Sequence, residues 1–288
     1  MVIKTEAFPQ PGETLLGGEF FLFPGGKGAN QAVAAARLGG DVTFIAKIGN
    51  DIFGENSIAQ FRKEGIVTDY IHVDDKRPSG VALITVDAKG ENTIVVAAGS
   101  NGTLGRADVE KAAGRFTSDA IVLMQLEIPL ETVIYCAQLA KSKGATVILN
   151  PAPARALPDE LLANISIITP NRTETETLSG IKVSDSASAE SAARWFRNKG
   201  INTVIITLGR QGAFLFDDRG ARLIEAPEVK AVDSTAAGDI FNGALAVGLA
   251  KGQDIQNAVR LANRAAALSV TRMGAQASAP FKHELESE

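Results

Sequence analysis

The sequence predicts an α/β protein, with a mainly parallel sheet covered by helices on both faces and a small β-sheet lid. Three observations carry this reading. From Asp119 onward, short apolar runs of strand length alternate with longer runs of helical period. Two β-rich runs, 81–86 and 93–97, interrupt that alternation and flank the turn chemistry of Asp87-Ala88-Lys89-Gly90-Glu91-Asn92. Small-residue loops also recur just beyond the expected strand ends, which is where open α/β sheets bind ligands.

Taken in order, the chain opens on a Pro/Gly-rich piece, Phe8 to Thr14, followed by a short strand over 18–23. Pro24-Gly25-Gly26-Lys27-Gly28-Ala29-Asn30 breaks into an Ala-rich helix over 31–38. Residues 42–49 read as a strand, and 51–64 as a helix closed by Gly65. After the hairpin come strands over 120–124, 146–150, 166–169 and 203–207. Between them lie helices over 130–143, 174–178 and 187–199. A second hairpin spans 213–216 and 221–224, and 226–232 reads as a strand edge. Helices over 240–250 and 255–270 close the pattern. The expected division is a core of 25–74 and 101–288 with a lid of 1–24 and 75–100.

The 288 residues suffice for one large α/β domain or two small ones, and 45% apolar with 22% charged residues is an ordinary globular balance. A net charge of −4 without a long basic run argues against nucleic acid or an anionic membrane as partner. The one cysteine, Cys136, excludes an internal disulfide framework and suits a reducing compartment. No apolar run is long enough to span a bilayer, and Met1 to Glu6 lacks a signal-peptide layout. A cytoplasmic protein is expected. The two histidines, His72 and His283, lie away from the small-residue loops, so a His-centred triad is not expected.

The chemistry concentrates in a few stretches. In Val232-Asp233-Ser234-Thr235-Ala236-Ala237-Gly238-Asp239, small residues sit where a loop enters an apolar helix. Free N–H groups and the helix dipole there can hold an anion. Asp239 in the first turn either handles a proton or metal beside that anion, or simply complements the dipole. Thr207-Leu208-Gly209-Arg210-Gln211-Gly212 follows a strand; it is a close-approach loop for a ligand or a tight turn. Asn171 and Glu174, three apart at a helix start, suit a hydrated Mg²⁺ or a capping box. Gly25 to Asn30 is not a Walker A loop, because the spacing differs and no Ser or Thr follows Lys27. Its donors, with Glu127 as acceptor, suit a polyhydroxylated ligand. No Gly-x-Gly-x-x-Gly follows an early strand, which argues against a dinucleotide oxidoreductase.

These motifs together resemble the ribokinase-like family of carbohydrate kinases. The resemblance covers Gly25 to Asn30, Met124-Gln125-Leu126-Glu127, Asn150-Pro151-Ala152-Pro153-Ala154-Arg155, Thr169-Pro170-Asn171 with Glu174, Thr207-Leu208-Gly209, Ala236 to Asp239, and Val270-Thr271-Arg272 with Gly274-Ala275-Gln276. It implies the family's three-layer fold and ATP-dependent phosphorylation of a small sugar's primary hydroxyl. Ribose giving ribose 5-phosphate is the first expectation; deoxyribose or another small sugar, and a weakly active or non-catalytic sugar-binding remnant, are the alternatives.

By resemblance, Asp239 is the base, and Ala236, Ala237 and Gly238 form the anion hole. Gly26, Lys27, Asn30 and Glu127 are sugar contacts, and Asn171 and Glu174 the nucleotide–Mg²⁺ pair. Thr207, Gly209, Gly212, Gly238 and Asn263 are nucleotide contacts. Asp233, Thr235, Ser269, Arg272, Gly274 and Ser278 fall at a K⁺ site. The family begins with a core strand and a Gly-Ser-x-Asn-x-Asp turn, and Met1-Val2-Ile3-Lys4 resembles the segment after that turn. The chain as given is therefore expected to lack that strand and one sugar ligand. An exposed lid edge suggests a homodimer paired through the lid.

Overall fold

The computed structural model describes residues 1–16 and 18–286. Gly17, Ser287 and Glu288, which the expected lid and core ranges include, lie outside the described residues. The N-terminal part contains β1 (Val2–Lys4), β2 (Glu19–Phe21), α1 (Lys27–Arg37), β3 (Ala46–Gly49), α2 (Ile52–Lys63), β4 (Ile71–Asp74), β5 (Val81–Val86), β6 (Asn92–Ala97) and α3 (Arg106–Lys111). The remainder contains β7 (Ile121–Met124), α4 (Leu130–Ser142), β8 (Thr146–Leu149), α5 (Asp159–Leu162), β9 (Ile167–Ile168), α6 (Arg172–Ser179), α7 (Ser186–Asn198), β10 (Thr203–Thr207), β11 (Ala213–Asp217), β12 (Gly220–Ile224), α8 (Ala237–Ala250), α9 (Ile255–Ser269) and α10 (Lys282–Glu286).

Among the described residues, a six-stranded sheet has the order β12-β11-β10-β9-β8-β7. β7 to β10 are parallel, and the β11–β12 hairpin continues the sheet antiparallel. Strands buried on both faces read as unbroken apolar runs. Val147-Ile148-Leu149 and Val204-Ile205-Ile206 are fully buried for this reason. Their side chains alternate between two cores. Val147, Leu149, Val204 and Ile206 pack with Phe196 and Leu161 on one face. Ile148 and Ile205 pack with Ile240, Leu245 and Val259 of α8 and α9 on the other. Burying each such side chain contributes about 1.5–3 kcal/mol.

β2-β1-β5-β6 form a separate four-stranded sheet, and β3 pairs with β4 as a parallel pair. α2 begins at Asp51, whose Oδ1 accepts from Gly54 N at 2.9 Å, and Gly65 follows it at φ +77°. The same Asp51 carboxylate accepts from Ser79 N at 2.7 Å, anchoring the root of β5.

The sequence expectations need three corrections. The strand expected over 42–49 is regular only over Ala46–Gly49, with Thr43 making one isolated bridge to Val67. Residues 226–232 form no strand; Val232 and Asp233 donate to Val270 O instead, because this segment crosses to the end of α9. β4, α3, α5 and α10 were not anticipated, since each is too short to show a period. β7 ends the six-stranded sheet. Thr146 donates to Ala120 O and Asn150 to Met124 O, so Val122 and Met124 face β8. Ile121 and Leu123 therefore turn their backbone groups to the other side, and both are only half-buried.

Candidate active site

The C-terminal ends of β8, β9 and β10 meet the N-terminus of α8 around a cavity of about 220 Å³. Lys27, Asn171, Glu174, Thr207, Ala236 to Asp239 and the buried amides Asn150 and Asn242 line it. α8 starts without a capping side chain. Its N-cap, Ala236, has φ +61°, the one positive-φ non-glycine among the described residues. Such a conformation costs an alanine about 1–2 kcal/mol and marks a functional turn. It aims the uncapped first turn at the cavity.

Asp239 is 5% exposed. Asn30 Nδ2 donates to its Oδ2 at 2.9 Å, and Gln31 Nε2 donates to its Oδ1 at 3.1 Å. Burial pushes its carboxyl pKa above the usual aspartate value, while the Lys27 charge and the two amides pull it back. The partner oxygen of Asn30, Oδ1, is buried with no hydrogen-bond partner. An orphaned acceptor of this kind fits a ligand hydroxyl.

Gly26, at φ +92°, is the N-cap of α1. Lys27 N donates to Glu127 Oε2 at 2.8 Å, tying the start of α1 to the segment after β7. A Cβ on Gly28 would lie 2.7 Å from Gln125 Nε2, so a larger residue there would displace the Gln125 amide. Burial raises the carboxyl pKa of Glu127 and of Glu174, and the Asp239 charge raises both further, while Lys27 opposes it.

Asn171 and Glu174 form the capping box that the sequence left as one alternative. Asn171 Oδ1 accepts from Glu174 N, and Glu174 Oε2 from Asn171 N, both at 2.8 Å. Both residues also line the cavity, and the box leaves Glu174 Oε1 free for a second partner. Oxygen donors of this kind suit Mg²⁺. Thr207 N donates to Pro170 O at 2.9 Å, which holds the end of β10 beside Asn171.

Other expected residues stand outside the cavity wall. Gly209 and Gly212 close a tight turn, and a Cβ on Gly212 would lie 2.1 Å from Ile224 O. Asn263 Nδ2 donates to Ile224 O at 2.8 Å and to Glu225 O at 3.3 Å, so it fixes the end of β12. Asp233 accepts from Thr235 N and Gly274 N, both at 2.9 Å, which joins the loop before α8 to the loop after α9. Ser269 and Ser278 hydroxyls donate to nearby carbonyls, and Arg272 turns to Glu284. Among the described residues, no group of three or more His, Cys, Asp or Glu is placed to hold a metal.

Sequence reasoning gave no role to Gln31 or Asn242, and quoted Asn150 and Thr169 only as parts of motifs. The available signal was an amide inside an apolar helix: Gln31 in an alanine run, Asn242 amid Ile240, Phe241 and Ala244.

The family model of pfkB family carbohydrate kinases matches residues 1–282. The chain belongs to that family. It is a carbohydrate kinase, as the motif order implied. The ribokinase of Haemophilus influenzae is 47% identical over 283 residues, covering 98% of this chain and 92% of that one. That of Staphylococcus aureus is 45% identical, covering 98% and 94%. Among solved structures, the Arabidopsis thaliana ribokinase complexed with ribose and ATP superposes with a TM-score of 0.90 at 30% identity, covering 99% of this chain and 93% of that one. The α/β architecture inferred from strand and helix alternation is therefore that of the family.

Proposed function

We propose that this kinase transfers the γ-phosphoryl group of ATP to the primary hydroxyl of D-ribose, giving ribose 5-phosphate and ADP. The observation that carries it is Asp239, a buried carboxylate held through both oxygens at the strained N-terminus of α8. The relatives of Haemophilus influenzae and Staphylococcus aureus, both ribokinases, support ribose as the sugar. Asp239 takes the hydroxyl proton as the sugar oxygen bonds to the γ-phosphorus, and the bond to the β-phosphate oxygen breaks. The first turn of α8, Ala236 to Gly238, holds the negative charge spread over the transferring group.

Asn30 offers its free Oδ1 to a sugar hydroxyl, with Gly26, Lys27 and Glu127 beside it. Asn171 and Glu174 would hold Mg²⁺ with the nucleotide; bound there, Mg²⁺ neutralises phosphate charge. Thr207 contacts the nucleotide directly, while Gly209, Gly212 and Asn263 shape its pocket from behind. Asp233, Thr235 and the loop of Ser269, Arg272, Gly274 and Ser278 would hold K⁺ and so steady the turn before α8. The four-stranded sheet, built within residues 1–24 and 75–100, acts as a lid over the core. Its exposed apolar residues, Leu16, Phe20, Ile94, Val95 and Val96, support pairing with a second copy. The single buried thiol, Cys136, supports a cytoplasmic setting.

ADP release, followed with ribose, deoxyribose, fructose and no sugar, tests the reading. Ribose is expected to give the highest kcat/KM, with ribose 5-phosphate as product. Deoxyribose is the informative rival, because a Salmonella typhimurium deoxyribokinase is 38% identical over 281 residues. A higher kcat/KM with deoxyribose, or no ADP with ribose, overturns it.

A further inference from the structure

In the cavity wall, buried side chains and the backbone carbonyls of Thr169 and Gly238 close a ring of hydrogen bonds that starts and ends at Asp239. Gln31 Nε2 donates to Asp239 Oδ1 and to Asn150 Oδ1, both at 3.1 Å. Asn150 Nδ2 reaches Thr169 O at 3.4 Å. Thr169 Oγ1 donates to Asn242 Oδ1 at 2.6 Å, and Asn242 Nδ2 donates to Gly238 O at 2.8 Å. Gly238 is the residue before Asp239. Gln31, Asn150, Thr169 and Asn242 are each at most 6% exposed.

We infer that this ring positions the base, with Gln31 as its keystone, by locking the Asp239 carboxylate in line with the anion-holding turn of α8. The inference rests on Asp239 being the base. The ring joins four elements: α1, the ends of β8 and β9, and α8. It thereby fixes the sugar segment, the base and the approach to Asn171 relative to one another. A buried polar network is warranted only when every member is satisfied, and satisfied networks rigidify a unique geometry. General-base catalysis depends on that geometry, since a displacement of about 1 Å costs roughly 10²-fold in rate. Asn30 alone leaves Asp239 free to swing about a single hydrogen bond. Gln31 on the second oxygen removes that freedom, and Thr169 and Asn242 fix the backbone that carries the carboxylate.

The test uses Gln31→Met, which keeps volume and removes the amide, and Thr169→Val, which keeps shape and removes the hydroxyl. Each is expected to lower kcat by roughly 10–100-fold while the ribose KM stays within about threefold. Because the ring acts as one unit, the double variant is expected to be little worse than the poorer single one. Thermal melting of each variant establishes that it folds. Folded variants with wild-type kcat, or kcat losses that multiply in the double variant, overturn the inference. Asp239→Asn runs alongside. If it is inactive while the ring variants keep full kcat, the ring alone is refuted; if it is active, the reading of Asp239 as base is what fails.

Discussion

Asp239 shows how one residue's surroundings set its chemistry. An exposed aspartate is ionised far below neutral pH, but burial raises this one, and Lys27 limits the rise. Glu127 and Glu174 face the same space and add negative charge. As the proposed base, Asp239 must be deprotonated to act, so activity is expected to fall as pH drops through the raised value. The acid limb of kcat/KM is expected above the ordinary aspartate range, and Lys27→Met should move it higher still. A limb in Lys27→Met that stays put or moves lower contradicts this. Asp239→Asn should lower kcat by roughly 10²–10⁴-fold, measured as ADP release. Ala236 offers a second residue-scale test. Its left-handed φ suits glycine, so Ala236→Gly should raise stability by about 1 kcal/mol, read as a higher melting temperature. Neither Gln31 nor the strain at Ala236 was legible in the sequence. A side chain's partner 208 positions away, and the sign of a φ, depend on packing that no local pattern encodes.

At the scale of elements, the contact between α1 and α8 decides the geometry. Gly243 of α8 lies against the backbone of α1, where a Cβ would come within 2.7 Å of Gln31 O and 2.9 Å of Ala34 Cβ. Gly243→Ala forces the two helices apart, and with them Gln31 and Asp239. The expected result is a loss of stability of about 1–3 kcal/mol, as overpacking of a close contact gives, and a larger fractional loss of kcat than of ribose affinity. Unfolding midpoints and steady-state kinetics on the same samples check it. Helices with a clear apolar face, such as α7 and α9, and the turn at 87–92 were legible because period and turn chemistry are local. The capping box at Asn171 and Glu174 was legible as one of two alternatives, and it lies on the cavity wall as well. The irregular course of 226–232 was not legible, because Val229 and Val232 are apolar yet 40% and 59% exposed, so the segment's apolar residues do not report burial in a sheet.

Among the described residues, the buried six-stranded sheet is mainly parallel, while the four-stranded sheet is largely exposed. β6 is exposed along its entire length, and Leu16 is 96% exposed. If a second copy pairs with this sheet, association follows mass action and the folded form gains stability with concentration. The melting temperature is therefore expected to rise across a hundredfold increase in protein concentration. Ile94→Lys, in the exposed strand β6, should abolish the dependence. A melting temperature that does not depend on concentration in the unsubstituted chain argues for a monomer.

The unpaired side of β7 has a consequence in time rather than in space. An amide inside a ladder exchanges its hydrogen with solvent only when the ladder opens, whereas an amide with no ladder partner needs no such event. Ile121 and Leu123 turn away from β8, while the amides of Val122 and Met124 point toward it. Under native conditions, deuterium should therefore enter alternate residues of one strand at very different speeds, with Ile121 and Leu123 fast and Val122 and Met124 slow. Uniformly slow exchange along β7 would mean that another strand lies against it in solution.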